Sequence, residues 1–246
     1  MSDLISQFAI KDLIPLGPPG GFTFTNSALF MSLAVGGAAS FILFATRKQS
    51  FIPDRWQMAA EIIYNFVADT IREFMGSKGM IFFPLVFSLF SFIFMCNVLG
   101  LLPGAFTVTS HVSITGALAI LVIGLVLVVG LMRHGLSFFK IFVPSGAPTW
   151  ALPIIVLIEI ASFLSRPLSL SIRLFANMLA GHIALKIFAG FVGTLLSAGV
   201  WMVLAPLPFL LTVALTGLET LVACLQAYIF MVLTCVYLKD ALEGGH

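Results

Sequence analysis

MIFFPLVFSLFSFIFMCNVLGLLPGAFTVTSHVSITGALAILVIGLVLVVGLM, residues 80–132, contains no Lys, Arg, Asp or Glu. A run of this length cannot be one buried strand or one soluble core helix, because crossing a bilayer takes only about 20 apolar residues. The turn chemistry of Pro103 and Gly104 divides it into two spans, 80–101 and 112–132. Asn26 to Thr46 is a third charge-free run, closed by Arg47 and Lys48. Of the whole chain, 60% is hydrophobic and 9% charged, which leaves too little polar surface for a water-soluble domain and calls for membrane lipid around most of the outside. A net charge of +2 gives no basic patch, and no nucleic acid partner is expected.

Between the 26–46 and 80–101 spans, PDRWQMAAEIIYNFVADTIREF places Trp56, Ala59, Ile63, Phe66, Val67, Thr70 and Phe74 at three- and four-residue steps. Arg55, Glu61, Asp69, Arg72 and Glu73 largely avoid that stripe. The pattern predicts an amphipathic surface helix over 53–75, with Pro53 in its first turn. From Trp150 onward, 150–190 and 195–240 are longer than a perpendicular crossing requires, so they are expected to be strongly tilted or bent. Gly190, Gly193 and Gly199 are the candidate turn between them, and Pro206 and Pro208 the candidate bend.

The predicted fold is therefore an all-α membrane protein treated as one membrane domain over 1–246. It has an extramembrane segment (1–25), spans at 26–46, 80–101 and 112–132, a surface helix, and a tilted hairpin at 150–190 and 195–240. Arg47, Lys48, Arg55, Arg72, Lys78, Arg133 and Lys140 fall on one side if the spans alternate, against Lys11 in the N-terminal tail. That side should be cytoplasmic, with the N-terminus outside and the C-terminus cytoplasmic. Residues 1–21 show neither a cleavable signal pattern nor an Arg-rich transit pattern, so insertion by the spans themselves is expected. Cys96, Cys224 and Cys235 lie in apolar stretches and are expected to be small buried residues. No haem, flavin, metal or nucleotide motif is present, and no cofactor is expected.

The last two segments also carry Glu159, Arg166, Arg173, Asn177, His182, Lys186, Glu219 and Gln226. One ionisable group near the bilayer centre costs at least about 2.5–3.5 kcal/mol, so such groups mark ion pathways, relays or counter-ion pairs. Glu159, Arg166 and Arg173 are seven residues apart and form a column on one helix face; Glu219 and Gln226 repeat that spacing. Snorkelling towards headgroups is the expected role of Arg166 and Lys186. Arg173 keeps its proton, whereas Glu and His exchange theirs. A permanent cation between two titratable groups blocks proton passage unless a mobile carboxylate carries the proton past it. The alternative is a structural ion pair of Arg173 with Glu159 or Glu219.

RPLSLSIRLFANMLAGHI, ETLVACLQAYIFMVLTCVYL and NVLGLLPGAFTVTSH together resemble the a subunit of the proton-translocating F-type ATP synthase, in its alphaproteobacterial and mitochondrial branch. The resemblance implies that Arg173 is the essential arginine facing carboxylates of a rotating c-ring. It implies further that Asn177, His182, Glu219 and Gln226 line the outer half-channel and Glu159 the inner one. Many bacterial members hold Glu and His at the positions of His182 and Glu219, so this chain has the exchanged arrangement. The implied chain couples proton flow to rotation and ATP synthesis without phosphoryl chemistry of its own. Its implied partners are the c-ring and peripheral-stalk b-type subunits, in a bacterial inner membrane or, alternatively, a mitochondrial inner membrane. A self-contained proton-coupled transporter or channel is the competing function, but no internal repeat supports a substrate cavity between repeats. A scaffold whose deep charges only pair is the third.

Overall fold

The computed structural model describes residues 12–15, 23–47, 53–102, 105–135, 138, 152–197 and 199–243. Lys11, Lys48, the Pro103–Gly104 turn, Lys140 and Trp150 lie outside the described residues. Among the described residues, five helices are long and apolar enough to cross a membrane. The chain is a multi-pass membrane protein of all-α class, with one small addition.

That addition is an antiparallel pair of strands, β1 (Asp12–Pro15) and β2 (Thr23–Thr25), within the segment expected to be merely extramembrane. Thr23 Oγ1 donates to Asp12 Oδ1 at 2.8 Å. Strands this short show no readable alternation, so periodicity could not anticipate them. Helix α1 (Asn26–Ala45) follows directly.

Helix α2 (Arg55–Met75) is the amphipathic element. Asp54 caps it, its side chain accepting from the Arg55 amide at 2.8 Å, so Pro53 precedes the helix instead of occupying its first turn. Gly76 ends it at φ 68°, a left-handed conformation that favours glycine. Its buried face is Val67, Ala68, Thr70, Ile71 and Met75. The face is thus rotated from the expected stripe, because Trp56 and Phe66 remain about half exposed. Their rings make aromatic contacts instead: Trp56 meets Phe41 and Phe44 edge-on, and Phe66 meets Phe90 and Tyr228 at tilted angles.

A 3₁₀ segment, Ser77–Phe82, leads into α3 (Phe83–Gly100), and α4 spans Val112–His134. Helix α5 runs from Leu152 to Ser197, 46 residues, or about 69 Å at 1.5 Å per residue. It is more than twice the hydrocarbon thickness of about 30 Å, which a perpendicular helix cannot accommodate. Pro167 lies inside α5 and removes one rung of its hydrogen-bond ladder. Gly190 and Gly193 are part of α5 and do not form the turn. The chain reverses past Ser197, where Gly199 takes φ 62° and a 3₁₀ segment runs to Leu204. Pro206 begins α6 (Pro206–Glu243) instead of bending it; its missing N–H costs nothing at a helix start.

The chain folds as two compact units. One draws on Met1–Ala38, Phe92–His111 and Leu174–Ala227, the other on Ala39–Ser91, Val112–Arg173 and Tyr228–His246. Cys96 and Cys235 are buried as expected, whereas Cys224 is exposed. Cysteine is tolerated facing lipid because its thiol is only weakly polar.

Candidate functional site

In the unit containing Leu174–Ala227, α5 and α6 place His182 and Glu219 against each other. Both are buried, and His182 Nε2 lies 3.7 Å from Glu219 Oε1. Gly181 makes this approach possible. A Cβ there would sit 2.7 Å from Glu219 Oε1 and 2.9 Å from its Cδ, inside any tolerable contact. Neither carboxylate oxygen of Glu219 has a hydrogen-bond partner among the described residues. An unsatisfied buried acid is costly, and the imidazole is the titratable group beside it.

The loop before α4 completes this cluster. Thr107 Oγ1 lies 2.9 Å from the same His182 Nε2. Thr109 Oγ1 donates to Asn97 Oδ1 at 2.9 Å, and Asn97 Nδ2 donates to the Ala223 carbonyl at 3.0 Å. Asn97, Thr107 and Thr109 are at most 1% exposed. Sequence reasoning did not assign them individually, although all three stand in NVLGLLPGAFTVTSH. The signal available was a set of hydroxyls and an amide in an otherwise apolar stretch. Gln226 is buried and Asn177 half-buried in this unit. Among the described residues, neither has a polar contact with the His182–Glu219 pair.

The other unit carries the charge column. Glu159 is half-buried and has no ion pair among the described residues. Arg166 has partners on α6: its Nη1 pairs with Asp240 Oδ2 at 3.1 Å, and its guanidinium stands 5.4 Å from the Tyr237 ring centroid. A buried hydroxyl pair, Thr115 with Ser171 at 3.1 Å, ties α4 to α5 nearby. Asp240 and Tyr237 also escaped the sequence reading, because Lys239–Asp240 reads simply as a polar helix end.

Arg173 lies near the midpoint of α5, and it is exposed. Its side-chain hydrogen bond is a long one to Ser169 Oγ, 3.5 Å. Among the described residues no carboxylate pairs with it. Ser165, Leu168, Ser169 and Ile172 share its exposed side, so the guanidinium is set in a surface of aliphatic and small side chains. Within its own unit, the ion pair considered for it with Glu159 is not formed among the described residues.

The chain matches a family model described as "ATP synthase A chain" over residues 28–239. It is 57% identical over 247 residues to ATP synthase subunit a of Chelativorans sp. strain BNC1, covering 100% of this chain and 99% of that protein. ATP synthase subunit a of Xanthobacter autotrophicus is 57% identical with 99% of both chains covered, and that of Rhizobium johnstonii 56% with 100% and 99%.

Proposed function

The chain belongs to the ATP synthase A chain family, and we propose that Arg173 is its essential cation, set against a carboxylate carried by a moving partner. As subunit a, the chain provides proton half-channels for the rotary ATP synthase and is itself non-catalytic. The observation that carries the proposal is the exposure of Arg173 at mid-helix without a carboxylate partner among the described residues. A guanidinium facing hydrocarbon costs about 2.5–3.5 kcal/mol or more, and that cost is relieved if an acid on another chain faces it. The partner is the c-ring. Small side chains at Ser165 and Ser169 permit the close helix approach this requires.

His182, Glu219, Gln226 and Asn177 form the outer half-channel, and Glu159 belongs to the inner one. A proton arriving through the His182–Glu219 pair neutralises a ring carboxylate. That acid then rotates through lipid uncharged and is ionised again on returning to Arg173, because the cation favours the carboxylate form. Arg173 cannot release its own proton, so the two half-channels do not short-circuit. Each elementary charge crossing the full membrane yields about 2.3 kcal/mol per 100 mV, and several combine for one ATP.

The charged end of α2, with Arg72 and Asp69 exposed, suits a peripheral-stalk b-type subunit. The excess of Lys and Arg beside the spans supports a cytoplasmic C-terminus and an external N-terminus in a bacterial inner membrane.

The test is ATP-driven proton pumping and passive proton leak in vesicles carrying the assembled complex with Arg173→Gln or Arg173→Lys. Loss of pumping in both, with raised leak in the Gln variant, is the expected result. Pumping that survives in both would overturn the role of Arg173.

A further inference from the structure

We infer that Thr107 is a positioning residue for proton transfer at His182, using its hydroxyl to hold Nε2 between two partners. The inference rests on the reading of His182 as part of the outer half-channel. Nε2 faces Thr107 Oγ1 at 2.9 Å and Glu219 Oε1 at 3.7 Å. A single ring nitrogen therefore has a rotatable hydroxyl within hydrogen-bond range and an acid just outside it. A hydroxyl both donates and accepts. When the ring is neutral with Nε2 unprotonated, Thr107 donates to it. When Nε2 carries a proton, Thr107 accepts from it, or a turn of the ring aims the N–H at Glu219. No heavy atom of the loop has to move for either state.

Burial makes this hydroxyl consequential. Thr107 is 1% exposed, and its Cγ2 packs where Gly100 leaves room, since a Cβ on Gly100 would meet it at 2.9 Å. Its own carbonyl accepts from Ser110 Oγ at 2.7 Å, which fixes the backbone from which the hydroxyl points. The ring's ionisable neighbours in this unit include Glu219 on α6 and Lys186, one turn further along α5. Neither can serve as both donor and acceptor to Nε2 while charged. Thr107 is the group that can.

The experiment compares Thr107→Val, Thr107→Ala, Thr107→Ser and His182→Gln in the complete complex in membrane vesicles, with pumping normalised to the amount of assembled complex. Val preserves the branched shape and removes the hydroxyl; Ala is a second hydroxyl-free variant in case Val disturbs assembly; Ser keeps the hydroxyl. We expect Val and Ala to lower pumping by about fivefold to tenfold, the effect of losing one hydrogen bond worth about 1 kcal/mol. Ser should stay within about twofold of the unaltered chain. If Val and Ala pump normally while His182→Gln is impaired, the inference about Thr107 is overturned and the half-channel reading stands. If Ser is as impaired as Val, the residue acts through packing and the inference is again overturned. Normal pumping by His182→Gln overturns both.

Discussion

His182 Nε2 and Glu219 Oε1 stand 3.7 Å apart across two helices, each on a buried face. Both side chains are titratable, so on the proposed reading either can hold the transferred proton. Exchanging them, His182→Glu with Glu219→His, should therefore retain a substantial fraction of proton pumping. Each single replacement places two acids or two imidazoles in one buried site and should lower pumping about tenfold or more. ATP-driven pumping in vesicles, measured for the two single variants and the double, checks this. A double variant as inactive as the singles would show that contact between the two is not what matters.

Gly181→Ala tests the spacing of that pair without touching either group. The new Cβ would lie 2.7 Å from Glu219 Oε1, so the carboxyl must move away from the His182 ring. Overpacking of this kind typically costs about 1–3 kcal/mol. The expected result is normal assembly with pumping reduced several-fold, because only the tip of Glu219 has to yield. Gly190→Ala, at a glycine with open space around it, is the control and should pump normally.

Asn97 joins Thr109 to the Ala223 carbonyl and is fully buried. Asn97→Leu strands a buried hydroxyl and should cost about 1–3 kcal/mol. Earlier thermal dissociation of the detergent-solubilised complex is the readout. Adding Thr109→Val should cost less than the sum of the single changes, since the two residues share one hydrogen bond.

His111, outside the spans, stacks on Phe106 with ring centroids 5.0 Å apart, and burial holds its pKa below the ordinary histidine value. The folded chain thus keeps it neutral where an unfolded chain would already bind a proton. Its contribution to stability is complete above about pH 6.5 and is lost as pH falls below that value towards the lowered one. Thermal unfolding midpoints between about pH 7.5 and 5 should fall less steeply in His111→Gln than in the unaltered chain.

Much was legible in the amino-acid order alone. Charge-free runs located the spans because a hydrocarbon slab accepts little else, and Arg173 stood out because a permanent cation there needs a reason. Seven-residue spacing aligned Glu159 with Arg173, and Glu219 with Gln226, since that is a property of one helix. Spacing within a helix does not say what faces it. Packing brought Thr107 to His182 from 75 positions away and Asn97 to Ala223 from 126, and it set Arg166 beside Asp240. Of the three candidate glycines Gly199 lies at the turn, because α5 continues helical through Gly190 and Gly193. Covalent order set which chemistry was present and at what height along each helix. Which groups touch was decided only by tertiary packing, because contacts between helices depend on rotation and approach, and no local pattern records either.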